Sequence, residues 1–341
     1  MSNDVGYLLR QVGEVVRENN ATNARGCSFK TQVERKNRIF RFFRRLWGLG
    51  FKIAGPKSLG GRHVRAVLND MAANGYSSSE LQSVASDMRT FCRWIGKDGI
   101  VGSTANLVSE PDKIRRQYVS EDDKSWTSQG VDPDKIIEQA FEESERIGVQ
   151  LNLCRHFGLR VKESMLLKPH IADQQHFLAV NWGTKGGRER VVPFASGDQG
   201  ERQRKVIEHA KSLVTLPNAS TIPQGVSLVK WRAKFYYVMQ KIGVGREHGF
   251  TVHGLRHEYA NDEYEKKTGF STGLRGGNPD AVSRDADYLA RQEIAEALGH
   301  TRVQIVSMYA GKGPDGRKSG EGKKPALNWM NLGTLKVKLE P

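Results

Sequence analysis

Cysteine is scarce. There are three in 341 residues, Cys27, Cys92 and Cys154, an odd number set far apart and without the spacing that holds zinc. A disulfide-stapled secreted domain is excluded, and the simpler expectation is reduced thiols packed as small apolar side chains. Long apolar runs are missing too. No stretch approaches the roughly 18 residues of a membrane-spanning helix, and Met1-Ser2-Asn3-Asp4 lacks the charged-then-apolar pattern of a secretory leader. An intracellular, cytoplasmic chain is expected. Acidic residues are in deficit: 38 Asp+Glu stand against 53 Lys+Arg, a net +15. Such a surface seeks a polyanion, nucleic acid most often and membrane phospholipid as the rival. No carboxylate cluster suited to magnesium is visible, so neither a metal nor another cofactor is expected.

What is present divides into segments, and 341 residues allow two domains. Residues 1–26 hold a short amphipathic turn around Val5 to Val16 and then a polar run, read as a loosely attached extension. Over 27–107 the pattern is helical: Ile39, Phe42, Phe43 and Leu46 recur at i, i+3, i+4 and i+7, and Leu81, Val84, Met88, Phe91 and Ile95 follow the Ser77-Ser78-Ser79 cap. Between Lys30 and Arg65 eleven Lys/Arg face one acid, Glu34. Arg38, Arg41, Arg44 and Arg45 are the candidate DNA contacts. Residues 108–130, polar and doubly charged, read as a linker.

The second domain, 131–341, opens with Asp132 as N-cap and Pro133 at the first helical position, and the apolar face of Ile136, Ile137, Ala140 and Phe141 is expected to continue through Ser144 to Ile147. Phe177 to Trp182 and Glu189 to Phe194 are short β-prone runs around a glycine-rich turn that presents Lys185, a predicted hairpin. Helices are expected over 201–214 and 228–242. Beyond Tyr309 a Gly/Lys-rich spacer from Gly311 to Lys324 leads to apolar segments at Ala326–Met330 and Thr334–Leu339.

The chemistry concentrates between Thr251 and Tyr309. A helix starting near Val252 would put His253, Arg256 and His257 on one face. Leu298-Gly299 reads as a helix stop, and Thr301 with Gln304 as a capping box opening a helix that carries Tyr309. His300 falls in the turn between, beside free N–H groups suited to an anion.

The ordered set His253-x-x-Arg256, then Leu298-Gly299-His300, then Tyr309 nine residues further on resembles the active site of the tyrosine recombinase, or phage integrase, family. Gly158-Leu159-Arg160-Val161-Lys162-Glu163 resembles the family's first arginine box, and Lys185 with Arg190-Val191-Val192-Pro193 its hairpin lysine and closing strand. The resemblance implies a mainly α, two-domain DNA clamp with a small antiparallel β-hairpin in the catalytic domain. It implies Arg160, Lys185, His253, Arg256 and His300 as catalytic groups around the nucleophile Tyr309, with Glu163 and His257 in support. It also implies cutting and rejoining of double-stranded DNA sites through a 3′-phosphotyrosyl link by a homo-oligomer, a dimer on one site and a tetramer on paired sites. Integration or excision of a mobile element is the favoured version. A type IB topoisomerase, a chromosome-dimer resolvase and a non-catalytic DNA-binding protein are the alternatives. Arg256 and His300 are 44 residues apart, more than the family usually shows, so Glu265–Arg291 reads as an insertion. Tyr259, Tyr264 and Tyr288 are competing nucleophiles by proximity in sequence.

Overall fold

The computed structural model describes residues 4–20 and 27–314, so the segments expected beyond Pro314 lie outside the described residues. The chain divides into two compact units between Gln117 and Tyr118.

The first unit is helical. Helix α1 (Val5–Asn19) turns Leu8, Val12 and Val16 inward at four-residue spacing. Helix α2 (Phe29–Gly48) begins at Ser28, whose hydroxyl accepts from the Thr31 N–H, and buries Ile39, Phe42, Phe43 and Leu46. Helices α3 (Gly61–Ala73), α4 (Ser78–Trp94) and the single-turn α5 (Pro111–Ile114) complete it. All five feed one core. The N-terminal stretch is therefore no loose extension: a three-residue apolar stripe gives no sign in sequence of the partner that covers it, and here α2 and α4 do.

The basic face of α2 also needs correcting. Arg38 Nε donates to Asp87 Oδ2 at 2.5 Å, and Arg35 Nε to Asp87 Oδ1 at 3.3 Å. Arg45 is bonded to Asp70 and, at 3.0 Å, to the Tyr76 hydroxyl. These carboxylates come from α3 and α4, beyond the stretch in which only Glu34 was in view. Arg41 and Arg44 stay exposed.

In the second unit, α6 (Pro133–Glu143) starts as its sequence predicts, with the Asp132 carboxylate accepting from the Asp134 N–H at 3.0 Å. Its expected continuation to Ile147 is broken at Ser144, which is extended, and Ile147 belongs to α7 (Glu145–Phe157). The break lets the Phe141 ring close on Gly148, where no Cβ would fit. Then come α8 (Val161–Leu166), α9 (Pro169–Ala172), and strands β1 (Phe177–Val180) and β2 (Arg190–Pro193). The strands pair antiparallel from Phe177↔Pro193 to Val180↔Arg190. Helices α10 (Gly197–Ser212), α11 (Leu228–Lys241), α12 (His253–Thr268), α13 (Arg284–Ala297) and α14 (Ser307–Ala310) follow.

Two apolar clusters flank a central pair. Helix α7 sends Val149, Leu153 and Phe157 into one and Ile147, Leu151 and Cys154 into the other, while α12 divides Tyr259, Ala260 and Tyr264 from Leu255 in the same way. Packed on both sides, α12 is a rigid carrier for the side chains on its first turns.

The expected linker is largely packed. Ile114 is in the first core. The Ser120 N–H donates to Ser307 O at 2.9 Å. Trp126 is fully buried, its backbone N–H on Glu258 Oε2 at 3.1 Å and its indole N–H on Thr251 O at 2.7 Å. Cys92 and Cys154 are buried, Cys27 is half-buried and all three are free. No helix among the described residues is long and apolar enough to cross a membrane.

If α1 belongs to the core, Leu8→Ala leaves a cavity there. The first unit should lose about 2–5 kcal/mol, read as an earlier denaturant midpoint; an unchanged midpoint would restore the loose extension.

Candidate active site

Helix α7 ends at Gly158 with φ +58, and a Cβ there would run into Tyr259 and Leu298. The chain thereby turns tightly enough to bring Arg160 to the start of α8. The Arg160 N–H donates to Glu163 Oε2 and its Nη1 to Glu163 Oε1, both at 2.7 Å. Glu163 is fully buried and also takes both guanidinium ends of Arg190, at 2.9 and 2.7 Å.

Arg190 lies on the inward face of β2 with Val192, while Val191 and Pro193 face out. It is a site residue that the sequence reading used only to close the hairpin. The alternation of its strand carried the signal, since burying Val192 also turns Arg190 inward.

Helix α13 stops at a Schellman arrangement: Gly299 has φ +69, its N–H donates to Glu296 O at 2.9 Å, and the His300 N–H donates to Ala295 O at 2.7 Å. Three guanidiniums gather on its last carbonyls. Arg190 Nε donates to Ala297 O at 2.7 Å, Arg160 Nη2 to Leu298 O at 3.4 Å, and Arg256 Nη2 also to Leu298 O. The negative end of a helix dipole suits cations. Arg256, almost wholly buried, further donates to Gly158 O from Nη1.

The remaining donor, Arg256 Nε, faces the Tyr309 hydroxyl at 3.4 Å, and His300 Nε2 lies 3.2 Å from the same oxygen and 3.4 Å from Arg256 Nη2. The His257 ring is 4.7 Å from the Tyr309 ring, and the His253 ring is 6.2 Å from it. Gly254 is needed between them, because Lys124 O and the Trp126 indole occupy the space of a Cβ. Lys185 stands exposed in the hairpin turn, close enough for its charge to act on His300.

Burial, followed by the charges of Arg256, Arg160, Arg190 and Lys185, drives the His300 imidazole down to about 3; burial and His253 do the same for His257, also to about 3. Both are neutral at pH 7. Burial pushes the Glu163 carboxyl up, but the bonds and charges of Arg190 and Arg160 outweigh it and hold the group at about 2.

Two expectations change. No helix is capped by Thr301: a 3₁₀ turn, Val303–Val306, follows Arg302, and the helix proper is only Ser307–Ala310. The Schellman turn already fixes His300 without that cap. The presumed insertion Glu265–Arg291 begins in α12, which runs to Thr268, and ends in α13, which starts at Arg284, with a connecting loop of 269–283 between them. The competing tyrosines are otherwise placed. Tyr259 is buried, which pushes its hydroxyl above its ordinary range, the Tyr264 hydroxyl donates to Asp287 Oδ1 at 2.7 Å, and Tyr288 is half-buried on α13.

A phenolic oxygen held between a guanidinium and a neutral imidazole, in a helical unit with one hairpin, defines the class of enzymes that transfer DNA strands through a tyrosine. Residues 18–101 match the family description "Phage integrase, N-terminal", and residues 125–262 match "Integrase". A search of curated proteins finds no match. Among solved structures, a lambda integrase tetramer bound to a Holliday junction shares the fold at 17% or less, namely 16% identity and TM-score 0.57, over 91% of this chain and 79% of that one. The XerH site-specific recombinase in a post-cleavage complex on a palindromic difH substrate gives 14% and 0.53, covering 91% and 93%. The Tn1549 transposon integrase with a circular-intermediate DNA gives 12% and 0.54, covering 91% and 96%. The chain belongs to the tyrosine recombinase family, whose members are site-specific DNA recombinases.

The Glu163 shift has a testable sign. A carboxyl held below its unfolded value stabilises the fold above about pH 4.5, and that contribution is lost as pH falls toward about 2. Glu163→Gln should therefore be destabilised at pH 7 and show a shallower loss of stability over that window; equal slopes for variant and parent would remove the assignment.

Proposed function

We propose that this recombinase is the integrase of a mobile element, which cuts double-stranded DNA at specific sites through Tyr309 and rejoins the strands by the reverse reaction. The observation that carries this reading is the Tyr309 hydroxyl lying within hydrogen-bond reach of both Arg256 Nε and His300 Nε2. The "Phage integrase" match and the fold shared with a transposon integrase support the mobile-element role.

The Tyr309 oxygen attacks a backbone phosphorus, a P–O bond to tyrosine forms, and the bond to the 5′ oxygen breaks. His300, whose Nε2 lies 3.2 Å from the hydroxyl, accepts the phenolic proton. Arg160 and Arg256 hold the non-bridging oxygens as charge builds there. Lys185, free to swing from its turn, delivers a proton to the departing 5′ oxygen. His253 lies at the mouth of the site as a further phosphate contact, and His257 packs on the Tyr309 ring and sets its tilt. The bond energy is kept in the phosphotyrosyl link, so a 5′-hydroxyl from a second strand can reseal it without ATP.

The lambda integrase tetramer on a Holliday junction supports assembly as a dimer on one site and a tetramer on paired sites. The helical first unit, which ends at Gln117, is the second DNA-holding module. Its exposed Arg41 and Arg44 lie on phosphates, and the enzyme works on DNA in the cytoplasm.

Tyr309→Phe should bind DNA within roughly a factor of a few of the parent yet form no covalent species on a nicked suicide substrate. Persistence of a phosphotyrosyl adduct would overturn the nucleophile. Lys185→Ala should cleave normal DNA about 10²–10⁴-fold more slowly, and a 5′-bridging sulfur, whose thiolate leaves without a proton, should restore most of the rate. No rescue by sulfur would exclude the general-acid role.

Arg41→Ala with Arg44→Ala should weaken binding on all sequences alike and lower the salt slope by roughly two. Because Arg38 and Arg45 are already paired with carboxylates, their replacement should first show as lost stability. A slope that responds to Arg38 and Arg45 instead would reverse this assignment.

A further inference from the structure

Arg291 sits at the end of the stretch that the sequence suggested was an insertion, and it has no place in the chemistry above. It is almost wholly buried. Its Nε donates to Asp287 Oδ1 at 2.7 Å, an oxygen that also receives the Tyr264 hydroxyl at 2.7 Å, and its guanidinium lies over the Tyr264 ring at 5.3 Å. With Nε fixed in this way, the two ends of the fork point out of α13. Nη1 donates to Gly311 O at 3.0 Å and Nη2 to Lys312 O at 3.2 Å.

Those carbonyls belong to the chain immediately past Tyr309. The carbonyl of Tyr309 itself accepts from Asn261 Nδ2 at 3.2 Å, and the other end of that fully buried amide accepts from Thr272 Oγ1 at 2.7 Å. Helix α14 is a single turn of four residues, too short to hold its own direction. The Tyr309 carbonyl is instead tied by α12, which also carries His253 and Arg256, and the carbonyls just past the helix by α13, whose C-terminal turn leads into His300.

We propose that Arg291, with Asn261, is a positioning residue for the nucleophile: it fixes the backbone that follows Tyr309 so that the hydroxyl stays between Arg256 and His300 of its own chain. This rests on Tyr309 being the nucleophile. A buried arginine pinned by a carboxylate loses little entropy in binding two carbonyls. Gly311 completes the arrangement, because its φ of +70 and a Cβ path running into Leu274 leave room for no other residue.

The test uses Arg291→Lys, which keeps a positive charge beside Asp287 but lacks the fork. At saturating DNA, full-length Arg291→Lys should form the covalent species roughly ten- to a hundredfold more slowly, with unchanged DNA affinity. General damage to the fold is separated by a second pair of proteins. Hydrogen peroxide, supplied to Tyr309→Phe as a small external nucleophile, attacks the phosphorus and releases the same 5′ oxygen. Peroxide cleavage should be equal in Tyr309→Phe and in Tyr309→Phe/Arg291→Lys, because the phosphate-binding groups are intact and no tyrosine remains to be placed. A wild-type rate for Arg291→Lys, or an equal loss in the peroxide pair, overturns the positioning role. Covalent attachment by Tyr309→Phe alone overturns the nucleophile first, and the role of Arg291 with it.

Discussion

Three guanidiniums occupy one small volume at the end of α13, and the rest of the second unit follows from making that tolerable. Their mutual repulsion is met by Glu163, which takes Arg160 and Arg190 together, and by the carbonyls of Ala297 and Leu298, which accept from all three arginines. Glu163 has to be buried and ionised at once, and each arginine has to be bonded before substrate arrives. The result is positive charge held in place by the protein's own bonds. Burial, with the same field behind it, holds the His300 imidazole well below its ordinary pKa.

Much of this could be read in the residues because helix geometry turns spacing into direction. His253, Arg256 and His257 at i, i+3 and i+4 had to share a face once a helix began near Val252, and α12 starts at His253. Leu298-Gly299 signalled a stop since only glycine takes the left-handed turn cheaply. The hairpin was visible from its two β-prone runs and glycine-rich turn.

What escaped was long-range. Asp70 and Asp87 neutralise arginines of α2 from helices further along the chain, which no local count of charge can foresee. The extended backbone at Ser144 exists so that Phe141 can meet Gly148, a packing fact with no local cause. Asn261 and Arg291 bond to carbonyls, which every residue possesses, so no motif marks their partners. Sequence spacing shows which side chains share an element; it is silent on which backbone they will reach.

That last property reaches beyond the site. Because Arg291 and Asn261 grip backbone oxygens, the grip is blind to the side chains that follow the nucleophile, glycine at 311 excepted. The chemistry and the end of the polypeptide are thereby uncoupled in composition. Selection can rewrite what comes after Lys312, adapting the protein to new neighbours or new regulation, while Tyr309 keeps its place beside Arg256 and His300.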